Sequence, residues 1–345
     1  MSDAHRHGAM VHVAGGWRVS GRCRPIANER LVMTEHPYHE PVLVERVVAI
    51  VRELGAGVVV DATAGGGGHA AAMLDAAPQI RVLGIDRDPT ARDVARRRLA
   101  PFGGRARVIG DTFADLASSL RANSDFVAEF PVTGVLMDLG VSSRQLDDPA
   151  RGFSFRFDAP LDMRMDPSRG ETAAQLLERI SQQDLVDLLR ANGEGRYAFA
   201  IANALRVERP STTAELVNVV ERVVPIPARR RGNVATRVFQ ALRIAVNDEE
   251  RQLHDGLTAA FEALAPDGAL MVISYHSGED RVVKTFLNEL VTGGCRCPVE
   301  LGCVCGAIAR ARVLRSSAVL AHANEIASNP RARSARLRVG WKLAT

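Results

Sequence analysis

From about residue 36 the chain alternates short runs of β-branched residues with stretches whose apolar positions recur every three or four residues. That alternation predicts a parallel sheet covered by helices. Gly57 to Asp61 (GVVVD) reads as the first strand, followed by a glycine-rich turn and a helix over His69 to Ala76. Val82 to Asp86 (VLGID), Arg107 to Gly110 and Gly134 to Leu139 supply three more strands. Asp88 is placed to cap a helix running to Leu99. The alternation then stops. Helical patterns over Thr172 to Ile180, Gln183 to Ala191, Arg196 to Val207 and Thr213 to Val223 follow one another without a convincing strand, and Pro210 with Ser211 and Thr212 separates the last two as breaker and N-cap. After them come helices over Thr236 to Val246 and Glu249 to Leu264, a buried strand Ala269 to Tyr275 (ALMVISY) and a last strand Arg336 to Lys342. The expected organisation is an α/β domain built from residues 36–145 and 235–345, interrupted by an all-helical substrate-binding insertion over 146–234. Residues 1–35 show no periodicity and read as a disordered extension, within which Met33 is an alternative start to Met1.

Composition narrows the class. With 345 residues, 46% hydrophobic and 24% charged, the chain can bury a large core or two modest ones. A net charge of +4 is small for this length, so its distribution says more. Arg222, Arg229, Arg230, Arg231, Arg237 and Arg243 stand in a stretch without an acid, and residues 306–345 hold seven arginines and Lys342 against Glu325 alone. Two such tracts on a balanced chain fit the footprint of a nucleic-acid binder, with solvated faces as the alternative. No run approaches the ~18 apolar residues of a membrane helix and no signal peptide opens the chain, so a cytoplasmic location is expected.

The chemistry-bearing residues lie at the predicted strand ends. Asp61 to His69 (DATAGGGGH) joins a strand to a helix, where glycines admit a ligand to the backbone and a helix N-terminus offers N–H groups. The dinucleotide fingerprint fails at its last glycine, and a P-loop is excluded because no Gly-Lys-Ser/Thr follows. Asp61 before the glycines is a methyltransferase feature. Asp86, ending the second strand, suits both hydroxyls of a ribose, and Phe113 after the third suits packing against an adenine. Asp138 ends the fourth strand, ahead of Gly140-Val141-Ser142-Ser143 and Gln145. It is the candidate acceptor for the N–H bonds of an exocyclic amine and the outlet for its proton.

These residues, in combination, carry a family likeness. His39 to Leu43, the glycine motif through His69, Asp138 to Ser143, Arg151-Gly152-Phe153-Ser154-Phe155 and Pro160 to Asp166 closely resemble the RsmH (MraW) family of 16S rRNA cytosine-N4 methyltransferases. So do Thr236 to Arg243, Ser274-Tyr275-His276-Ser277 with Glu279-Asp280-Arg281, and Asn329 to Ser334. The resemblance implies a class I, Rossmann-like sheet, S-adenosylmethionine as cofactor, and a decoding-centre cytosine of 16S rRNA in the small ribosomal subunit as substrate, and it leaves a homodimer open. It also implies cofactor contacts at Gly67, Gly68, His69, Asp86, Phe113, Asp138 and Gln145. Two departures are visible: Gly278 replaces a usual Leu, and Asn192-Gly193-Glu194-Gly195 replaces a usual Tyr-Gly-Glu-Glu.

Three further expectations concern the periphery. Phe153, Phe155 and Phe157 flank the acidic segment 158–166, either as a clamp that stacks on an extruded base or as a seal against the inserted domain. His276 follows a strand and is a second candidate catalytic residue, the alternative being a loop-stabilising histidine. Arg229, Arg230, Arg231, Arg237, Arg331 and Arg333 are the candidate RNA contacts. Cys295-x-Cys297 and Cys303-x-Cys305 offer four thiolates that could hold a structural zinc, although C-x-C is less typical than C-x-x-C and uncomplexed thiols are the cytosolic default.

Overall fold

A computed structural model describes residues 41–231, 234–298, 304–314 and 317–344. The expectations for residues 1–35, Met33, His39, Glu40 and Cys303, and for the side chains of Arg230 and Arg231, lie outside the described residues. The first half runs α1 (Val44–Glu53), β1 (Gly57–Asp61), α2 (Gly68–Ala76), β2 (Ile80–Ile85), α3 (Pro89–Leu99), β3 (Ala106–Ile109), α4 (Leu116–Ala122), α5 (Ser124–Val127), β4 (Val132–Asp138) and α6 (Ser143–Asp147). Six helices follow: α7 (Ala173–Arg179), α8 (Gln182–Ala191), α9 (Ala198–Glu208), α10 (Thr213–Val223), α11 (Ile226–Arg231) and α12 (Val234–Asn247). The chain then returns through α13 (Glu249–Ala263), β5 (Ala269–Ser274), α14 (Ser277–Thr292), β6 (Ala311–Val313), β7 (Val319–Leu320), α15 (Ala323–Ser328) and β8 (Arg336–Lys342).

The strands form one sheet in the order β3-β2-β1-β4-β5-β8-β6, with β7 also pairing β8. Strands β1 to β5 are parallel, and β8 runs antiparallel to β5, β6 and β7. This is an open, doubly wound Rossmann-like sheet, as expected. Its apolar runs are continuous because both faces are covered. Alternate residues divide between the two cores: Val59, Val82, Leu136 and Met271 pack with Val47, Val51 and Met73 on one side. Val58, Val60, Leu83, Val135 and Val272 pack with Leu257, Phe261 and Val283 on the other. Helices α1, α4, α5, α6, α11, α14 and α15 escape the sequence reading, as do the short strands β6 and β7.

The helices between β4 and β5 carry their own core, including Leu176, Leu189, Ile201, Leu205, Leu216 and Val220. Thr172 and Thr212 each form a capping box, with Gln175 and Glu215, so the predicted starts have a hydrogen-bonded cause. The helical cluster does not stop at residue 234. Val234, Val238, Phe239 and Leu242 of α12 belong to it, as do Phe153, Leu161 and Met163 from the segment after α6.

Asn247, the last residue of α12, fastens that segment. Its Oδ1 accepts the Met165 N–H at 2.8 Å, and its Nδ2 donates to the Met163 carbonyl at 2.8 Å and the Arg243 carbonyl at 2.9 Å. Met163 is fully buried with φ of 63°, a left-handed angle costly for a bulky residue. Asn247→Leu would strand buried backbone groups, and a loss of roughly 2–4 kcal/mol in urea denaturation is expected. A change under ~0.5 kcal/mol, the scale of a neutral surface substitution, would show that other contacts hold the segment.

Candidate active site

The strand order reverses between β1 and β4, and open α/β sheets take ligands at such a point, outside the carboxyl ends of the strands. A cavity of about 650 Å³ occupies that place. After β1 the chain turns through Gly65 and Gly67, with φ of 51° and 75°, into α2. Gly65, Gly66, Gly68 and His69 line the cavity. Gly67 does not: a Cβ there would stand 3.2 Å from the Ala95 Cα, so this glycine serves the approach of α2 to α3.

Asp86 lines the cavity and also holds the glycine turn. Its Oδ2 accepts the Gly65 N–H at 2.7 Å and its Oδ1 the Asp88 N–H at 2.8 Å. Burial pushes its pKa above the usual carboxylate range, against the pull of those two bonds. Asp88 caps α3 as expected, and its Oδ2 additionally accepts from Gln145 at 3.0 Å and Arg151 at 2.9 Å. Gln145 is therefore committed on both sides of its amide, since its Oε1 accepts the Ser142 N–H in the capping box of α6. It lines the cavity while tying the loop after β4 to the start of α3.

Asp138 ends β4, with its backbone N–H bonded to the Thr63 hydroxyl at 2.6 Å. Its Oδ1 accepts the Tyr275 hydroxyl at 2.8 Å, and its Oδ2 lies 3.7 Å from His69 Nδ1. The His69 Nε2 sits 2.9 Å from the Val42 carbonyl, which only accepts, so Nε2 carries a proton directed at it. Burial raises the pKa of Asp138; His69 and the Tyr275 hydroxyl oppose the rise. Burial, with Asp138 alongside, likewise raises the Tyr275 phenol.

Phe113 lines the cavity, and its ring lies against Gly256 of α13, where a Cβ would come within 2.4 Å of it. His276 lines it too, but its ring is engaged in the N-cap of α14. Nδ1 accepts the Glu279 N–H at 3.4 Å, and Nε2 stands 3.0 Å from Glu279 Oε1 without the alignment of a hydrogen bond. A Cβ at Gly278 would press on this ring at 3.0 Å, so the departure from Leu leaves the imidazole its room.

Sequence reasoning missed Tyr275 as a partner of Asp138, and missed the Arg243–Glu249 pair, whose two 2.8 Å bonds close another wall. Tyr275 stood inside a quoted motif, yet nothing local announces a partner 137 residues away. Of the phenylalanines, Phe153 is buried in the helical core, Phe155 packs edge-on against Phe239, and Phe157 is exposed. Among the RNA candidates, Arg331 lines the cavity 3.5 Å from Asp147, and Arg333 is exposed. Arg237 instead neutralises the buried Glu194 through bonds of 3.0 and 2.6 Å. Arg229 donates to the Val224 carbonyl at 2.7 Å and lies 3.6 Å from Glu221. Both are spoken for by protein groups.

Asp61 is 1% exposed, and its Oδ2 has no hydrogen-bond partner among the described residues. Burial pushes its pKa up to about 6, from a model-peptide value of 3.8, with His69 opposing and Asp138 and Asp86 reinforcing the rise. A carboxyl that binds its proton more tightly in the native state loses stability as pH climbs from near 4 through 6, and the loss is complete at pH 8. Asp61→Asn in the ligand-free protein should therefore gain on the order of 1–2 kcal/mol at pH 8 and lose up to about 1 kcal/mol near pH 4, once the cost of the amide's own unpaired N–H is subtracted at both pH values. An equal shift in melting temperature at both pH values would contradict the assignment.

The profile of the MraW methylase family matches residues 36–343. A ribosomal RNA small subunit methyltransferase H from Heliobacterium modesticaldum is 42% identical over 317 residues, which is 89% of this chain and 99% of that protein. Its namesake from Geobacter sp. strain M21 is 45% identical over 316 residues, covering 89% and 99% respectively. The one from Mycobacterium avium is 43% identical over 335 residues, covering 92% and 86%. Among the described residues no helix is long and apolar enough to cross a membrane.

Proposed function

Because the chain belongs to the MraW methylase family, shown by the match over residues 36–343, we propose that it methylates 16S rRNA from S-adenosylmethionine, at the exocyclic N4 amine of a decoding-centre cytosine. The observation that carries this reading is the meeting of Asp86, the glycine turn and Asp138 on one cavity at the strand ends.

The cavity lies within the ~300–1,000 Å³ range of small-molecule sites. Its groups also suit the cofactor: Asp86 keeps lone pairs for ribose hydroxyls, Phe113 offers a face for adenine, and Gly68 and His69 open a helix. When bound, S-adenosylmethionine supplies a methyl group on a sulfonium. The protein's part is to present the amine. Its lone pair is delocalised into the cytosine ring, so the N–H bonds must be accepted and the nitrogen oriented. Asp138 does this with a carboxylate held by Tyr275, and it takes the proton that the methylated nitrogen sheds. His69 stands beside it, its Nδ1 3.7 Å from the carboxylate. His276 acts on the same loop, through the cap that fixes Tyr275 and Glu279.

Incubating the protein with tritiated S-adenosylmethionine and small ribosomal subunits tests the reading. Label is expected in 16S rRNA, and nucleoside mass spectrometry is expected to identify N4-methylcytidine. Label on another base, or on the cytosine ring carbon, would refute the N4 assignment; absence of transfer to any small-subunit RNA would refute the activity.

The RNA itself is the expected partner, docked by the basic tracts. Neutralising Arg229, Arg230 and Arg231 together should flatten the dependence of log affinity on log salt by up to ~2–3 units while leaving cofactor binding intact. An unchanged slope would make these arginines a solvated face.

A further inference from the structure

The loop from the end of α14 to β6 holds a cluster that the methyl-transfer reading does not use. Cys295, Cys297 and Cys305 bring their sulfurs within 4.8 Å of one another. A tetrahedral zinc thiolate with Zn–S of ~2.3 Å needs sulfurs ~3.8 Å apart, so a small closure suffices.

Apolar burial does not account for the convergence. Among the described residues of 293–310 none is buried, and Val304 and Ile308 are 86% and 72% exposed. A segment without apolar burial has no driving force of its own to hold three side chains together against their conformational entropy. Only its stems are fastened: Arg310 N–H donates to the Leu290 carbonyl at 2.8 Å, and Leu343 N–H to the Arg310 carbonyl at 2.8 Å. Gly293 turns the chain at φ of 62°, where a Cβ would collide with the Ile308 carbonyl at 2.3 Å.

We infer that Cys295, Cys297 and Cys305 hold one Zn²⁺, which takes the place of a hydrophobic core in this loop and secures the edge strand β6. Thiolate ligation of this kind gives the ion a structural role, remote in kind from the methyl-transfer chemistry.

The test uses the full chain, purified without chelator in the presence of a non-thiol reductant. Elemental analysis is expected to find one equivalent of zinc per chain, released stoichiometrically by a mercurial thiol reagent. Cobalt exchanged into the protein should show sulfur-to-metal charge-transfer bands and the intense visible bands of tetrahedral thiolate coordination. The double variant Cys297→Ser, Cys305→Ser should retain less than a tenth of the metal while still binding S-adenosylmethionine, which reports that the cavity is folded. Less than a tenth of an equivalent in the wild-type protein would overturn the inference, as would metal retained in the variant or a Cys–Cys disulfide found under the same reducing conditions. The wild-type metal count decides the matter even if the variant does not fold.

Discussion

Asp138→Asn is expected to fold with a near-normal melting temperature and to lose on the order of 10²-fold or more in single-turnover methyl transfer. The geometry gives both halves of that result. An asparagine carbonyl can still accept the Tyr275 hydroxyl, and its amide fills the same volume beside His69, whose Nδ1 lies 3.7 Å from the carboxylate. Toward the amine the substitution is adverse, because an N–H group replaces an acceptor and no base remains for the proton. The pH profile offers a second readout. Burial raises the pKa of Asp138, so the wild-type rate should climb with pH along a limb lying above the ordinary carboxylate range. The variant should lack that limb. Cofactor affinity is measured in parallel, so that a weaker complex is not mistaken for a slower step. Near-wild-type single-turnover rates at saturating cofactor would remove Asp138 from the methyl-transfer step.

Asp86→Ala should weaken S-adenosylmethionine binding by roughly 1.5–3 kcal/mol, the scale of a lost hydrogen bond to a charged group. The fold adds a cost that the ribose contact alone does not predict. The Gly65 and Asp88 N–H groups both lose their acceptor, so the glycine turn loosens in the free protein as well. Asp86→Asn separates the two effects: it keeps an oxygen for one N–H and restores part of the thermal stability, but not the charge that receives the ribose. Calorimetry is expected to show weak binding in both variants, with the larger drop in melting temperature in the alanine variant. Unchanged affinity in both would take Asp86 out of the cofactor site.

The sheet was legible because both of its faces are covered. Burial on two sides forces unbroken apolar runs such as GVVVD and ALMVISY, and a run of that kind needs no knowledge of its neighbours to be recognised. Helix starts were legible for a related reason: Asp88, Thr172 and Thr212 act on N–H groups two or three residues ahead, so cause and signal lie in one stretch of chain. The cavity-lining glycines, Asp86 and Asp138 could be found because the ligand edge of a parallel sheet is the set of its strand ends.

What the tertiary structure alone decided are the pairings between distant segments and the direction each side chain faces. Gly67 carries the same sequence signal as its neighbours, yet it faces Ala95 of α3 and leaves the cavity to Gly65, Gly66 and Gly68. Arg237 reads as one more basic residue until Glu194 is found buried beneath it. The Tyr275 hydroxyl on Asp138, the Gln145 amide on Asp88 and the Asn247 amide on Met163 and Met165 join residues 57 to 137 positions apart. Local periodicity records which face of an element is apolar, and with it the sheet, the helices and the strand-end chemistry. Which polar group meets which depends on how the elements cross, and that is set only when their apolar faces have packed.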